Sequence, residues 1–214
     1  MTSVTAIVLV GGRSTRLGRS KAREMIDGRS IIQRVLDATQ PLADEVLLVT
    51  ARGQDTSWLP RGGRIRHIVD AYADSGPLVG IYSGLAAAHS DRCVAVACDM
   101  PLLKTELLQS LVELLSGCDA VVPRLEGRAQ PLHAVYARSC AGVMHKALEQ
   151  GSRSLHDVLR DLNVRWVEDH EMPEARALAL SCFNVNTPGD LSCAVELLNK
   201  TCHVHPYPDG TDTL

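Results

Sequence analysis

Aromatic side chains are scarce in this chain: one phenylalanine, two tryptophans and four tyrosines among 214 residues. That scarcity argues against a platform on which successive nucleobases stack, the usual way of holding single-stranded nucleic acid without sequence preference. A basic excess is missing too. Lys and Arg number 22 against 25 Asp and Glu, a formal net charge of -3, so there is no overall positive field to displace counterions from a nucleic acid. No apolar run approaches the roughly 20 residues that cross a bilayer as a helix. The seven cysteines (Cys93, Cys98, Cys118, Cys140, Cys182, Cys193 and Cys202) are odd in number and contain no Cys-x-x-Cys pair. A disulfide framework and a structural zinc site are therefore not expected. The chain enters a strand-like run at once, without the layout of a signal peptide. The expectation is a soluble protein of a reducing cytoplasm, with neither nucleic acid nor membrane as a partner.

What is present is a foldable α/β pattern. Apolar residues make up 45% of the chain, enough for a core, and the length suits one domain. Val4–Val10 is a continuous, β-branched apolar run that stops at Gly11-Gly12, as a buried parallel strand does. Further strands are expected at Glu45–Thr50, Ile65–Asp70, Cys93–Asp99, Asp119–Pro123 and Pro131–Tyr136, with short ones at 164–168 and in Phe183–Val185. Helical spacing marks Ser30–Thr39, Leu78–His89, Glu106–Leu115, 140–151, 154–162 and 190–200. Strands alternate with helices over about the first 120 residues, which predicts a three-layer, doubly wound, mostly parallel sheet. The expected organisation is one domain over residues 1–200 followed by a loose tail, 201–214. Ligands of such sheets bind beyond the carboxyl ends of the strands, which directs attention to Val10, Asp70 and Asp99.

The opening loop, LVGGRSTRLGRSKA (Leu9–Ala22), carries Gly11, Gly12 and Gly18 among Arg13, Arg16, Arg19 and Lys21. It fits neither G-x-x-x-x-G-K-[ST] nor G-x-G-x-x-G. Adjacent glycines after a buried strand nonetheless let backbone amides approach phosphate oxygens, and the cations supply charge. At VACDMP, Asp99 follows an apolar strand and cannot stay buried unpaired. It is either a cap for the next helix or a ligand of a hard cation such as Mg²⁺. Thr105 is the better-placed cap. In VDAYADSGPLVG, Asp70 ends a strand, and Gly76, Pro77 and Gly80 are expected to form a tight turn into a helix. From spacing alone this is as readily an ordinary turn as a nucleotide-contacting loop. No motif pairs a cysteine with a base, and His133 is read as structural or substrate-facing rather than as a metal ligand.

Together, LVGGRSTRLGRSKA, DSGPLVGIYSGL, CDMPLL, PLHAVY, GSRSLHDVL and FNVNTPGDL occur in the order seen in molybdenum cofactor guanylyltransferases. The resemblance runs from Val4 to about Leu198. It implies a Rossmann-like nucleotidyltransferase fold and transfer of GMP from GTP to the phosphate of the molybdopterin-bound cofactor, with release of pyrophosphate. Carried over by position, it implies nucleotide contacts at Leu9, Val10, Gly11, Gly12, Lys21, Thr50, Asp70 and Asp99. Arg16 and Lys21 fall where the family neutralises the triphosphate, and Asp99 where it holds Mg²⁺. Asn184 and Asn186 match the paired asparagines near the reacting groups, and Arg153 falls in the part facing the pterin. One departure is visible: Leu17-Gly18-Arg19-Ser20-Lys21 stands where the family commonly reads Met-Gly-x-Asp-Lys, so Ser20 replaces an acid beside Lys21. The resemblance also implies transient contact with proteins that deliver or accept the cofactor. The rival readings are transfer of CMP or action on a sugar phosphate within the same superfamily, or nucleotide binding without turnover by a regulatory protein.

Overall fold

The computed structural model describes residues 3–10, 21–72, 76–172 and 175–202. The first half runs β1 (Val4–Leu9), a 3-10 turn (Lys21–Arg23), β2 (Met25–Ile26), β3 (Arg29–Ser30), α1 (Ile31–Thr39), β4 (Glu45–Thr50), β5 (Ile65–Val69), α2 (Pro77–Ala87), β6 (Arg92–Ala97) and α3 (Thr105–Leu114). The second half runs β7 (Ala120–Leu125), β8 (Arg128–Ala129), β9 (His133–Ala137), α4 (Cys140–Glu149), α5 (Leu155–Arg160), β10 (Val164–Glu168), a second 3-10 turn (Asp169–Glu171), α6 (Ala175–Ser181) and α7 (Pro188–Cys202).

Eight strands form one sheet in the order β10-β7-β9-β6-β1-β4-β5, with β8 paired to β7. Every pairing on that path is parallel except those of β9, which runs against both β6 and β7. β1 and β6 are parallel neighbours, with Leu9 opposite Ala97. Successive side chains of a strand point to opposite faces, and β1 feeds two cores accordingly. Val4, Ala6 and Val8 join a cluster with Val35 and Leu36 of α1, Leu108 and Leu111 of α3, and Leu178 of α6. Ile7 and Leu9 join another with Leu78 and Leu85 of α2, Met144 of α4, and Val158 of α5. Covering on both faces is why β1 reads as an unbroken apolar run rather than an alternating one.

Two contacts set how closely α2 lies on the sheet. A Cβ at Gly84 would stand 2.4 Å from Ile7 Cγ2, and one at Gly80 would stand 2.9 Å from Leu9 Cδ2. Of the two expectations that include Gly80, the helix over Leu78–His89 holds and the turn does not: Gly80 lies inside α2, where the absence of a side chain lets the helix pack against β1. Because Gly80 meets Leu9 and Gly84 meets Ile7, the start of α2 lies at the carboxyl end of β1. Pro77 occupies the first helical position, where its missing N–H costs nothing.

Three further expectations change. Thr105 does not cap α3: Lys104 is the capping residue, and the Thr105 hydroxyl donates to the Ala38 carbonyl at 2.8 Å. Phe183–Val185 makes no strand. The Val185 amide donates to the Asp99 carbonyl, while the Val185 side chain is buried with Ile26, Ile31 and Ala194 beneath α7. Finally, α7 continues through Cys202, past the expected start of the tail, and residues 203–214 lie outside the described residues. No helix among the described residues is long and apolar enough to cross a membrane.

Candidate active site

The carboxyl ends of β1 and β6 lie side by side, and the Cys98 amide donates to the Leu9 carbonyl at 3.1 Å. Asp99 follows immediately. Its Oδ1 is buried and has no hydrogen-bond partner among the described residues. Its Oδ2 is 3.9 Å from Lys21 Nζ, both side chains being about one-fifth exposed (21% and 19%). Burial raises the Asp99 carboxyl above its ordinary range, and the Lys21 ammonium opposes that shift. Lys21 is presented by the 3-10 turn, which is closed by the Glu24 amide on the Lys21 carbonyl at 2.9 Å and anchored by buried Ala22.

A third group arrives from the far end of the chain. Lys21 Nζ donates to Asn186 Oδ1 at 2.6 Å. Asn186 is held in turn by the start of α7. The Asn186 and Thr187 amides both donate to Asp190 Oδ2 at 2.8 Å, and the Asp190 amide donates to Thr187 Oγ1 at 3.2 Å. This is a reciprocal capping box with Pro188 in the first helical position. Those backbone donors pull the Asp190 carboxyl below its usual range. Asp190 was missed by sequence reasoning, although Thr-x-x-Asp before an apolar run is the local signal for such a box.

The remaining predicted positions divide. Leu9 and Val10 are buried, with the Leu9 side chain under Gly80 of α2, so only their backbone can face the crevice. Thr50 is buried and its hydroxyl donates to the Ile68 carbonyl at 3.4 Å. Asn184 donates to the Cys182 carbonyl at 2.9 Å, and Arg153 to the carbonyls of Leu148 and Ser152, at 3.3 and 2.9 Å. Gly11, Gly12 and Arg16 lie outside the described residues, as do Gly18 and Ser20. His133 is fully buried, with Nε2 2.7 Å from the Ser181 hydroxyl, and burial pushes it down to about 4, so it is neutral at physiological pH. Burial pushes Cys93, Cys98, Cys140 and Cys182 up to about 12, the opposite of what a thiolate nucleophile needs.

Asp70 is the second carboxylate at a strand end. Its amide continues the sheet by donating to the Thr50 carbonyl at 2.9 Å, while its buried Oδ1 has no partner among the described residues. Burial raises its pKa from 3.8 to about 6. A carboxyl with a raised folded pKa stabilises the fold in its protonated form, and that contribution is lost as pH climbs through about 6. Asp70→Asn is therefore expected to melt higher than the parent at pH 7.5 and close to it at pH 4. Thermal melts of both proteins at the two pH values check this.

Among the described residues no group of three or more His, Cys, Asp or Glu side chains could hold a metal ion. A cation here would have Asp99 as its protein ligand and take its other oxygens from water and a bound phosphate. That is the habit of Mg²⁺, which keeps several waters and needs few carboxylates. The orphaned, buried Oδ1 of Asp99 fits such an ion. A lysine and the buried carboxylate it faces at the crevice of a mostly parallel sheet, in a chain whose sequence carries a glycine-rich segment after β1, are the parts of a nucleotidyltransferase.

The comparisons agree. A family model described as a MobA-like NTP transferase domain matches residues 6–173, and the chain belongs to that family. It is 33% identical over 191 residues to a probable molybdenum cofactor guanylyltransferase of Pelotomaculum thermopropionicum, covering 89% of this chain and 91% of the relative. It is 36% identical over 196 residues to one of Methanosarcina mazei, covering 87% and 88%. Among solved structures, molybdopterin-guanine dinucleotide biosynthesis protein A of Archaeoglobus fulgidus superposes with a TM-score of 0.78 at 33% identity, covering 92% of this chain and 99% of that one.

Proposed function

We infer that this protein transfers GMP from GTP to the terminal phosphate of a molybdopterin-bound molybdenum cofactor and releases pyrophosphate. The observation that carries the reading is the meeting of Lys21, Asp99 and Asn186 at the β1–β6 crevice, in a chain whose relatives bear that activity in their names. The acceptor phosphate oxygen attacks the α-phosphorus in line, forming the new P–O bond as the bond to pyrophosphate breaks. The attacking oxygen is already anionic, so no nucleophilic side chain is needed and catalysis is positioning and charge neutralisation. Lys21, kept in place by Asn186, lies against the departing pyrophosphate with Arg16, and the amides of Gly11 and Gly12 complete the cradle. Asp99 would hold Mg²⁺, which when bound supplies positive charge to the phosphate oxygens. Leu9, Val10, Thr50 and Asp70 line the nucleotide side, and Arg153 and Asn184 the pterin side. The protein works as one domain in the cytoplasm, in transient contact with the proteins that bring and take the cofactor.

The test is pyrophosphate release with Mg²⁺, molybdopterin cofactor and each nucleoside triphosphate in competition. GTP is expected to win. A win for CTP moves the protein to cytidylyl transfer, and triphosphate binding without pyrophosphate makes it a regulatory binder. In the same assay Lys21→Ala is expected to lower turnover by on the order of tenfold to a hundredfold. Its Mg²⁺ requirement should not shift, because Lys21 neutralises the triphosphate and does not hold the ion.

A further inference from the structure

Two stretches of chain carry Asp99 and Asn186 to Lys21, and they are tied to each other twice. One runs from Asp99 to Lys104, between β6 and α3; the other runs from Ser181 to Asn186, between the end of α6 and α7. At one end the Val185 amide donates to the Asp99 carbonyl at 2.9 Å. At the other the Lys104 amide donates to Ser181 Oγ at 3.0 Å. The stretches therefore run in opposite directions and are pinned at both ends, with Asp99 and Asn186 at the same end.

Ser181 also joins this pair to the sheet. Its hydroxyl lies 2.7 Å from His133 Nε2, and both residues are fully buried. His133 stands opposite Val96 in the pairing of β9 with β6, shortly before Asp99. The result is a closed circuit: along β6 from Val96 to Asp99, across to Val185, back along the chain to Ser181, and through His133 to Val96. A serine hydroxyl has one hydrogen and two lone pairs, so it can accept from the Lys104 amide and still share a proton with the imidazole in either tautomer. Serine in a helix can spend its hydroxyl on a carbonyl of the preceding turn; at the end of α6 both bonds go to other elements instead. His133 Nδ1 has no partner among the described residues, so the hydrogen bonding of the imidazole rests on Ser181.

Apolar packing alone does not fix this geometry. Leu178 and Cys182 belong to the same core cluster as Leu103, Leu107 and Leu108, but apolar contact is non-directional, whereas a hydrogen bond constrains angle as well as distance. Asp99 follows directly on β6, while Asn186 follows no strand. The capping box at Thr187 and Asp190 orients Asn186 relative to α7; the circuit through Ser181 orients it relative to β6. We propose that Ser181 is a positioning residue: by closing the circuit through Lys104 and His133, it holds Asn186 where Lys21 Nζ lies 2.6 Å from Asn186 Oδ1 and 3.9 Å from Asp99 Oδ2. The consequence for turnover rests on the reading of Lys21 as the group that neutralises the triphosphate.

Ser181→Ala is read in two ways. In amide hydrogen exchange of the protein alone, the Val185 amide is expected to exchange on the order of tenfold faster than in the parent, while the amides of β4 change no more than the shift in global stability requires. In the pyrophosphate assay, with the nucleoside triphosphate that the parent prefers, kcat should fall by on the order of tenfold while KM for that nucleotide stays within about twofold. The same substitution in an Asn186→Ala background should cost little more, because the two residues act through one contact. Should the alanine variant not fold, Ser181→Cys, which keeps the size and a weaker donor and acceptor, is read instead, with smaller shifts of the same sign. Val185 exchanging in step with β4 overturns the proposal, since Ser181 then contributes to stability alone. Unchanged turnover, or an equal loss in both backgrounds, also overturns it, since Ser181 then does not act through Asn186. A parent that releases pyrophosphate from no nucleoside triphosphate overturns the functional reading, and exchange at Val185 then decides alone whether Ser181 holds the segment.

Discussion

Replacing Asp99 by asparagine is expected to lower turnover by on the order of a hundredfold or more, about 3 kcal/mol of transition-state stabilisation. The fold should not suffer. Asparagine keeps the size of the side chain and loses a charge that burial already disfavours, since the Asp99 carboxyl is raised above its ordinary range. The Val185 amide bonds the Asp99 backbone carbonyl, which the substitution does not touch. A variant that melts at or above the parental temperature while losing turnover is thus the expected pair of results. Added Mg²⁺ should restore part of the rate, because a neutral oxygen still coordinates, though weakly. Pyrophosphate release measured across a Mg²⁺ titration, beside a thermal melt, gives both readings. If Asp99→Asn turns over like the parent at limiting Mg²⁺, Asp99 is structural and holds no ion.

The largest effect on stability is expected at Gly84. An alanine there sets its Cβ 2.4 Å from Ile7 Cγ2 and 2.9 Å from Ile7 Cδ1. Ile7 is fully buried in β1, an interior strand covered on both faces, so it has nowhere to withdraw. Either α2 lifts from the sheet or the isoleucine leaves its rotamer, at a cost of about 3 kcal/mol, the upper part of what overpacking usually costs. For a chain of this size that is a fall of roughly 6 to 12 °C in melting temperature. Gly142 supplies the control. It is exposed in α4, with nothing within 4 Å of an added Cβ, so Gly142→Ala should raise stability by about 0.5 to 1 kcal/mol through helix propensity alone. Two identical substitutions of opposite sign, read by the same melt, tie the Gly84 effect to packing.

What could be read in advance follows physical visibility. Val4–Val10 and Cys93–Asp99 stood out because strands covered on both faces are continuous apolar runs, and a carboxylate at the end of such a run has few reasons to be there. Phe183–Val185 misled because its aromatic and β-branched residues suit a strand, yet its one sheet-like bond goes to the carbonyl of Asp99 and no ladder follows. Gly80 drew two readings, helix and turn, because a glycine needed for helix packing and one needed for a turn look alike until the partner, Leu9, is known. The meeting of Lys21 with Asp99 and Asn186 came from the family resemblance; no periodicity or local spacing states it.

The bond from Lys21 to Asn186 spans 165 positions, and that distance governs when the cluster of Lys21, Asp99 and Asn186 can exist. A ribosome extends a chain by about 5 to 20 residues per second, so some 8 to 33 seconds separate the emergence of the two partners. During that interval the lysine lacks its tether. A chain cut short by an early stop codon before position 186 never gains it, even where β1, β4 and β6 have already paired. Assembly of the cluster in this way waits on a segment made long after the strand that precedes Lys21.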